Sequence, residues 1–353
     1  MDPTYAGAFG RLKAHETEFL SPNDFSRLIE AKNTNDILSI LFSTFYKSDI
    51  EVFSGVHKGA ELLNMSINHR LILRNRYALF AAPTPARDLL RAYLSKWDIE
   101  NIKAIISSKF MGYSVRETED FLLSFRDIPM GIFAGPMTHE DFRNLMSKES
   151  IEAMVNYLTN FGYGQFVLQQ MDRYRKSGDV SFLLSALDFH YYSNLISSVR
   201  FYNGDEGPVI RYVMDLVDAQ NLFIILKGLD LKLEYERIRE YFIPGGNRSL
   251  SALQEVYSLG SIEEVAKRFQ NIGNLERAVR SYISDKRLQL FEVIARADLY
   301  GRYIPIFRQQ ALSLSYTLSF ILTAEREREL LHYIILGKDY GLDNSKIREM
   351  LQI

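Results

Sequence analysis

The chain contains no cysteine. Disulfides, thiolate nucleophiles, zinc–thiolate sites and iron–sulfur clusters are excluded, and a reducing compartment fits. Glycine and proline are scarce, 20 and 9 in 353 residues, against usual shares of about 7% and 5%. Every strand boundary needs turn residues, so the shortage favours long helices over many short strands. No charge sign dominates: Lys+Arg 42 against Asp+Glu 44 leaves a formal net charge of −2. A nucleic-acid groove normally comes with a strongly basic domain, so no nucleic-acid partner is expected. Long apolar runs are missing too. The longest uncharged stretch, Gln309 to Ala324, is rich in Ser, Thr and Gln and falls short of the about 20 apolar residues of a spanning helix. It reads as a buried helix of a soluble protein, and any membrane link should be peripheral. Charges within Met1–Glu16 argue against a secretory signal peptide.

Catalytic constellations are equally scarce. The six histidines, His15, His57, His69, His139, His190 and His332, include no i, i+4 pair of the kind that binds zinc on a helix. The sequence has no GxxxxGK[ST] phosphate loop, no GxGxxG and no GxSxG elbow. Gly162-Tyr163-Gly164 and Pro244-Gly245-Gly246 read as turns. No closely spaced aspartate pair suggests a metal-dependent helical enzyme. No catalytic residue, cofactor, metal ligand or small-molecule substrate is therefore expected, and the sequence singles out no binding residue.

Two charged stretches invite a choice. Glu325-Arg326-Glu327-Arg328-Glu329 could be an interaction surface, but reads better as the solvated first turn of the last helix, where acids suit the dipole. Arg70 and Arg74, one turn apart, could hold an anion or a lipid headgroup. The preferred reading is a solvated face over a buried Leu71/Ile72 stripe.

The positive feature of the sequence is repetition. Asp24-Phe25 with Leu28-Ile29 matches Asp141-Phe142 with Leu145-Met146. In the same ungapped register Ile37, Leu38 and Leu41 fall on Met154, Val155 and Leu158, and Tyr46 falls on Tyr163. Ser21 and Thr138, just ahead of these segments, are good helix N-caps. A diverged third copy runs from Leu250 through Ser261-Ile262-Glu263-Glu264-Val265. A second landmark comes later in each copy: Trp97-Asp98 with Asn101-Ile102, Val217-Asp218 with Asn221-Leu222, and Arg326-Glu327 with Leu330-Leu331. Downstream, Lys109, Gly112 and Phe121-Leu122 align with Lys338, Gly341 and Met350-Leu351. Asp98 and Asn101 share a helix face, as do Asp218 and Asn221, and a recurring pair of this kind reads as a device that caps or cross-links helices.

The apolar spacing inside these segments is helical, as at Ile99, Ile102, Ile106 and Phe110. Breaks fall at Pro83-Thr84-Pro85, Pro129 to Pro136, Asn203 to Pro208 and Pro244 to Gly246. The expected architecture is all-α, with three similar helical lobes at 1–137, 138–246 and 247–353. The N-terminal helix matches the stretch after the landmark in another copy, so it is expected to complete the third lobe and close the set.

Taken in order, these landmarks resemble the C subunit of the archaeal-type and vacuolar-type (A/V-type) rotary ATPases, the counterpart of the d subunit in the eukaryotic pump. The resemblance rests on Tyr5 and Arg11 in the first helix, on Asp98, Asn101, Ile102, Lys109 and Gly112, on Asp218, Asn221 and Leu222, and on Ile334, Ile335, Lys338 and Gly341. Leu330 departs from it where the other copies carry Asn. The resemblance implies a funnel of three lobes around a pseudo-threefold axis, with no catalytic residue and no bound nucleotide. It further implies a seat on the cytoplasmic face of the membrane proteolipid ring, with the central-shaft subunits D and F inserted, passing torque between ATP turnover and ion transport. An isolated chain would be monomeric. The alternatives are a generic all-helical scaffold of another multiprotein assembly and, least favoured, a helical enzyme with an unrecognised site.

Overall fold

Helix caps recur along the chain at the positions where the sequence repeats. Ser21 accepts a bond from the Asp24 amide while the Asp24 carboxylate accepts from the Ser21 amide. Thr138 and Asp141 do the same. Such reciprocal bonds satisfy two of the amides that a helix start leaves without intrahelical partners. In the third copy Ser249 Oγ accepts from Ala252 N. The next helix in each copy is also capped, by Asn33, Ser150 and Ser261.

The computed structural model describes residues 2–115, 118, 124–125, 128–129, 131–202 and 207–351. The fold is all-α. Its helices are α1 (Ala6–His15), α2 (Pro22–Glu30), α3 (Thr34–Phe42), α4 (Lys47–Phe53), α5 (Gly59–Ala81), α6 (Thr84–Leu94) and α7 (Lys96–Phe110). Then come α8 (His139–Met146), α9 (Ile151–Thr159), α10 (Gly164–Gln169), α11 (Met171–Ser177), α12 (Ser181–Phe201) and α13 (Gly207–Asp230). The last are α14 (Tyr235–Ile238), α15 (Leu250–Ser258), α16 (Ile262–Arg268), α17 (Glu276–Asp285), α18 (Gln289–Arg308), α19 (Leu314–Asp339) and α20 (Asn344–Leu351). A two-residue antiparallel pairing, Ser124–Phe125 with Ile128–Pro129, is the one strand contact among the described residues. The sequence breaks at Pro129–Pro136 and Pro244–Gly246 fall between helices, and of Pro83-Thr84-Pro85 only Pro83 does, Thr84 and Pro85 forming the first turn of α6. Residues 203–206 of the fourth break, and Phe121-Leu122 of the landmark alignment, lie outside the described residues.

Contacts divide the chain into two compact units, neither continuous in sequence. One comprises Met1–Pro83, Glu206–Leu229 and Leu259–Ile353; the other comprises Thr84–Asp205 and Asp230–Ser258. The stretch Gln309–Ala324 does contribute a buried helix: Leu314 to Leu322 and Ala324 are all buried in α19. No helix among the described residues is long and apolar enough to cross a membrane.

Two of the landmark helices end alike. After α7, Gly112 takes φ +78°, Gly112 N donates to Lys109 O and Tyr113 N to Ser108 O. After α19, Gly341 at φ +67° sits in the same pair of bonds, with Leu342 N donating to Gly337 O. This Schellman geometry needs a left-handed residue, which glycine adopts without a Cβ clash. After α13 the left-handed residue is Lys232, at φ +51°.

The N-terminal segment packs on α19 in the first unit. Phe9 meets Tyr316 edge-on at 4.7 Å, Phe19 meets Phe320 at 5.1 Å, and the Tyr316 hydroxyl donates to Glu16 Oε1. Aromatic pairs of this kind add about 0.5–1.5 kcal/mol each beyond their buried area. Deleting residues 1–19 is therefore expected to lower the melting temperature of the whole chain; an unchanged value would show that these contacts carry no stability.

Candidate functional site

The acid of each landmark is buried. Asp98 and Asp218 are fully enclosed and Glu327 is 4% exposed. A buried carboxylate is tolerated only where donors surround it, so its partners reveal what it holds together. For Asp218 and Glu327 the bonded partner belongs to another copy.

Glu327 on α19 reaches the first copy. Its Oε2 accepts from Leu20 N at 2.6 Å, and its Oε1 accepts from the Tyr46 hydroxyl at 2.7 Å and from Arg74 Nη1 at 2.5 Å. Arg74 also donates to Glu18 O and lies over the Phe19 ring, 4.2 Å from its centroid. Burial, reinforced by the Glu327 charge, pushes the Tyr46 hydroxyl well above its ordinary range, so it stays a donor. Beside it, Arg70 Nε donates to the buried Asp49 Oδ2 at 2.7 Å.

Asp98 on α7 is held at the border of the first and second copies: its Oδ2 accepts from Gly135 N at 2.7 Å, and Tyr163 of the second copy packs against the same glycine. A Cβ at Gly135 would collide with the Tyr163 hydroxyl, so only glycine allows this approach. Burial and the neighbouring Asp98 charge hold the Tyr163 hydroxyl protonated. Asp218 on α13 reaches the third copy through Asn271 Nδ2 at 3.2 Å. One turn before it, Asp215 Oδ2 accepts from Arg302 Nη1 at 2.9 Å and from the Tyr303 hydroxyl at 2.7 Å. Arg302 also donates to Asn271 O and to Asp298 Oδ2.

These contacts favour the cross-linking reading of the Asp98 and Asp218 landmarks. Two other expectations are corrected. Glu325–Glu329 is not a solvated first turn: α19 begins eleven residues earlier at Leu314, and Glu325 and Glu327 are buried. Burial even holds the Glu329 carboxyl above its ordinary range, against the pull of Arg296. Arg70 and Arg74 form neither a solvated face nor a headgroup site, because both are committed to the internal carboxylates Asp49 and Glu327. The Arg74–Glu327 and Arg302–Asp215 pairs escaped the sequence reading; the usable signal was an arginine at the same place in two matching long helices. Among the described residues no three His, Asp or Glu side chains form a group that could hold a metal.

The sequence profile described as ATP synthase (C/AC39) subunit matches residues 8–350. The chain belongs to that family. It is 42% identical over 351 residues to the A-type ATP synthase C subunit of Thermoplasma volcanium, covering 99% of both chains. The same subunit of Thermoplasma acidophilum is 40% identical, again over 99% of both. That of Methanocaldococcus jannaschii is 23% identical, over 98% of this chain and 86% of its own. Membership of the C/AC39 family makes the buried acid links part of an ATP synthase subunit.

Stability should respond to these groups in two ways. Removing one partner of a buried ion pair leaves the other charge stranded, at about 3–5 kcal/mol. Arg74→Ala and Glu327→Ala are each expected to lose about that much in chemical denaturation, and the double variant far less than their sum. The second response is to pH. Burial holds the His190 imidazole below its ordinary range, and burial together with Arg328 does the same for His332. Below about pH 6.5 the unfolded chain then binds more protons than the folded one. Stability from these residues is thus present above that pH and lost as it falls. The melting temperature should drop between about pH 7.5 and about pH 6, before the carboxylates titrate, and less so in His190→Gln.

Proposed function

We propose that this chain is the non-catalytic central-stalk adaptor of an A-type rotary ATP synthase. It would socket the shaft subunits D and F onto the proteolipid ring at the cytoplasmic face, as a peripheral subunit, and transmit torque between ATP turnover and ion transport. One observation carries the reading: Lys103 on α7 pairs with Asp188 of the second lobe, Asp218 bonds to Asn271 of the third, and Glu327 of the third bonds back to Leu20, Tyr46 and Arg74 of the first. A chain of links that returns to its start supports three lobes, 1–137, 138–246 and 247–353, in cyclic order. Such an order suits an axial partner.

The links also suit the mechanical task. A coupling that passes torque must strain little, and charge-assisted bonds in a dry interior resist separation far more than exposed ones. Helices joined through Arg74, Glu327 and Tyr46 would move together, so rotation of a seated shaft would be delivered to the ring instead of being absorbed within the adaptor. No step of this role requires a cofactor, a bound metal or a nucleophile.

The test is a tagged pull-down from mildly solubilised membranes, read by native mass spectrometry. Recovery with D, F and the proteolipid ring is expected. Recovery alone, or with unrelated soluble partners, would leave the fold intact and discard the socket role.

A further inference from the structure

The long helices α5, α12 and α18 bury matching positions. Leu63, Ile67 and Leu71 on α5 correspond to Leu183, Leu187 and Tyr191 on α12 and to Phe291, Ala295 and Leu299 on α18, and all nine are buried. In that register Arg74 corresponds to Arg302 on α18 and to Asn194 on α12. The two arginines each deliver a guanidinium to an acid from the preceding copy, Glu327 and Asp215. Asn194 is too short to do so and makes no hydrogen bond among the described residues.

Where the third guanidinium would lie there is instead a cavity of about 610 Å³ within the second unit, lined by Asn194, His190 and Ser198 from α12, Asp88 and Ser95, and Tyr163. Tyr163 is only 2% exposed, and its hydroxyl, sealed from solvent, has no hydrogen-bond partner among the described residues. Its counterpart Tyr46 bonds to the acid that Arg74 neutralises. The cavity thus keeps the tyrosine of the Arg74 site and lacks the arginine.

We propose that this cavity receives a guanidinium group from outside the chain, either an arginine side chain of a neighbouring subunit or a small free guanidino compound. A guanidinium has only donors. The Asn194 and Ser198 oxygens on the lining are acceptors for it, and the Phe161 ring forms part of the wall. Asp88 supplies a carboxylate at the exposed rim. Arg91 stands one turn away on the same helix, and the two rim charges cancel. His190 adds no positive charge at neutral pH, since burial keeps it neutral.

The experiment is calorimetric titration of the full chain with agmatine, with n-butylamine as the control cation. Saturable binding of agmatine and none of n-butylamine is expected. Asn194→Arg, whose own guanidinium fills the cavity, should weaken agmatine binding at least tenfold while melting no lower than the parent. Should that variant fail to fold, Asp88→Asn on the rim should weaken binding severalfold. Absence of saturable agmatine binding, equal binding of n-butylamine, or full binding by a folded Asn194→Arg would overturn the proposal. The source is read from the pull-down, in an arm that rests on the adaptor role proposed above. Loss of co-purifying subunits in Asn194→Arg identifies a partner arginine; unchanged recovery identifies a free compound. If the unaltered chain recovers no ATPase subunits, the adaptor role fails while the agmatine result stands.

Discussion

Burying a carboxylate obliges the fold to bring donors to it, and this obligation organises the protein. Glu327 is the clearest case. It sits in a helix whose buried face is otherwise largely apolar, so water cannot solvate it. Three donors from the opposite end of the chain do so instead: an amide, a phenol and a guanidinium. An isolated hydrophobic contact tolerates sliding, because area is non-directional. A carboxylate with three directed bonds does not. Register between the first and last thirds of the chain is therefore fixed by polar chemistry set inside an apolar core. Such pairs are poor sources of net stability and good fixers of geometry.

Copy by copy, the same obligation is met with different residues. The Glu327 site uses a full ion pair; the Asp215–Arg302 site adds a second acid, Asp298, on the same arginine. The Asp98 site uses a backbone amide and a glycine that lets a tyrosine approach. Divergence among repeats has thus spared the need for a donor and changed its supplier.

Much of this architecture was legible in the sequence because it is local. Ser21 with Asp24 and Thr138 with Asp141 announce helix starts within three residues, and Gly112 and Gly341 announce helix ends. The pairing of Arg74 with Glu327 was not legible, since 253 residues separate them. Locally each looks like a charge on a solvated face. Amphipathic patterning identifies the buried stripe of a helix only when one side meets water. Helix α5 buries Leu71, Ile72 and Arg74 together, which leaves little exposed face at that level to calibrate against. The correspondence of Arg74 with Asn194 was hidden for another reason. The repeat spacing lengthens by three residues between the first landmark and the second, so an ungapped comparison places Arg74 on the wrong turn of α12.

The interleaving of the first unit has a consequence for how the chain is made. Residues 1–83 cannot complete that unit until Leu259–Ile353 has been synthesised. At about 5–20 residues per second, the wait between Arg74 and Glu327 leaving the ribosome lasts about 13–50 s. During that interval the segment holding Arg74, Tyr46 and the apolar faces of α1, α3 and α5 has no α19 to cover it. Closing a loop of this length is slow relative to local helix formation, and exposed apolar surface invites association while it lasts. Biogenesis of this subunit is thus set by the same long-range bond that stiffens the finished one.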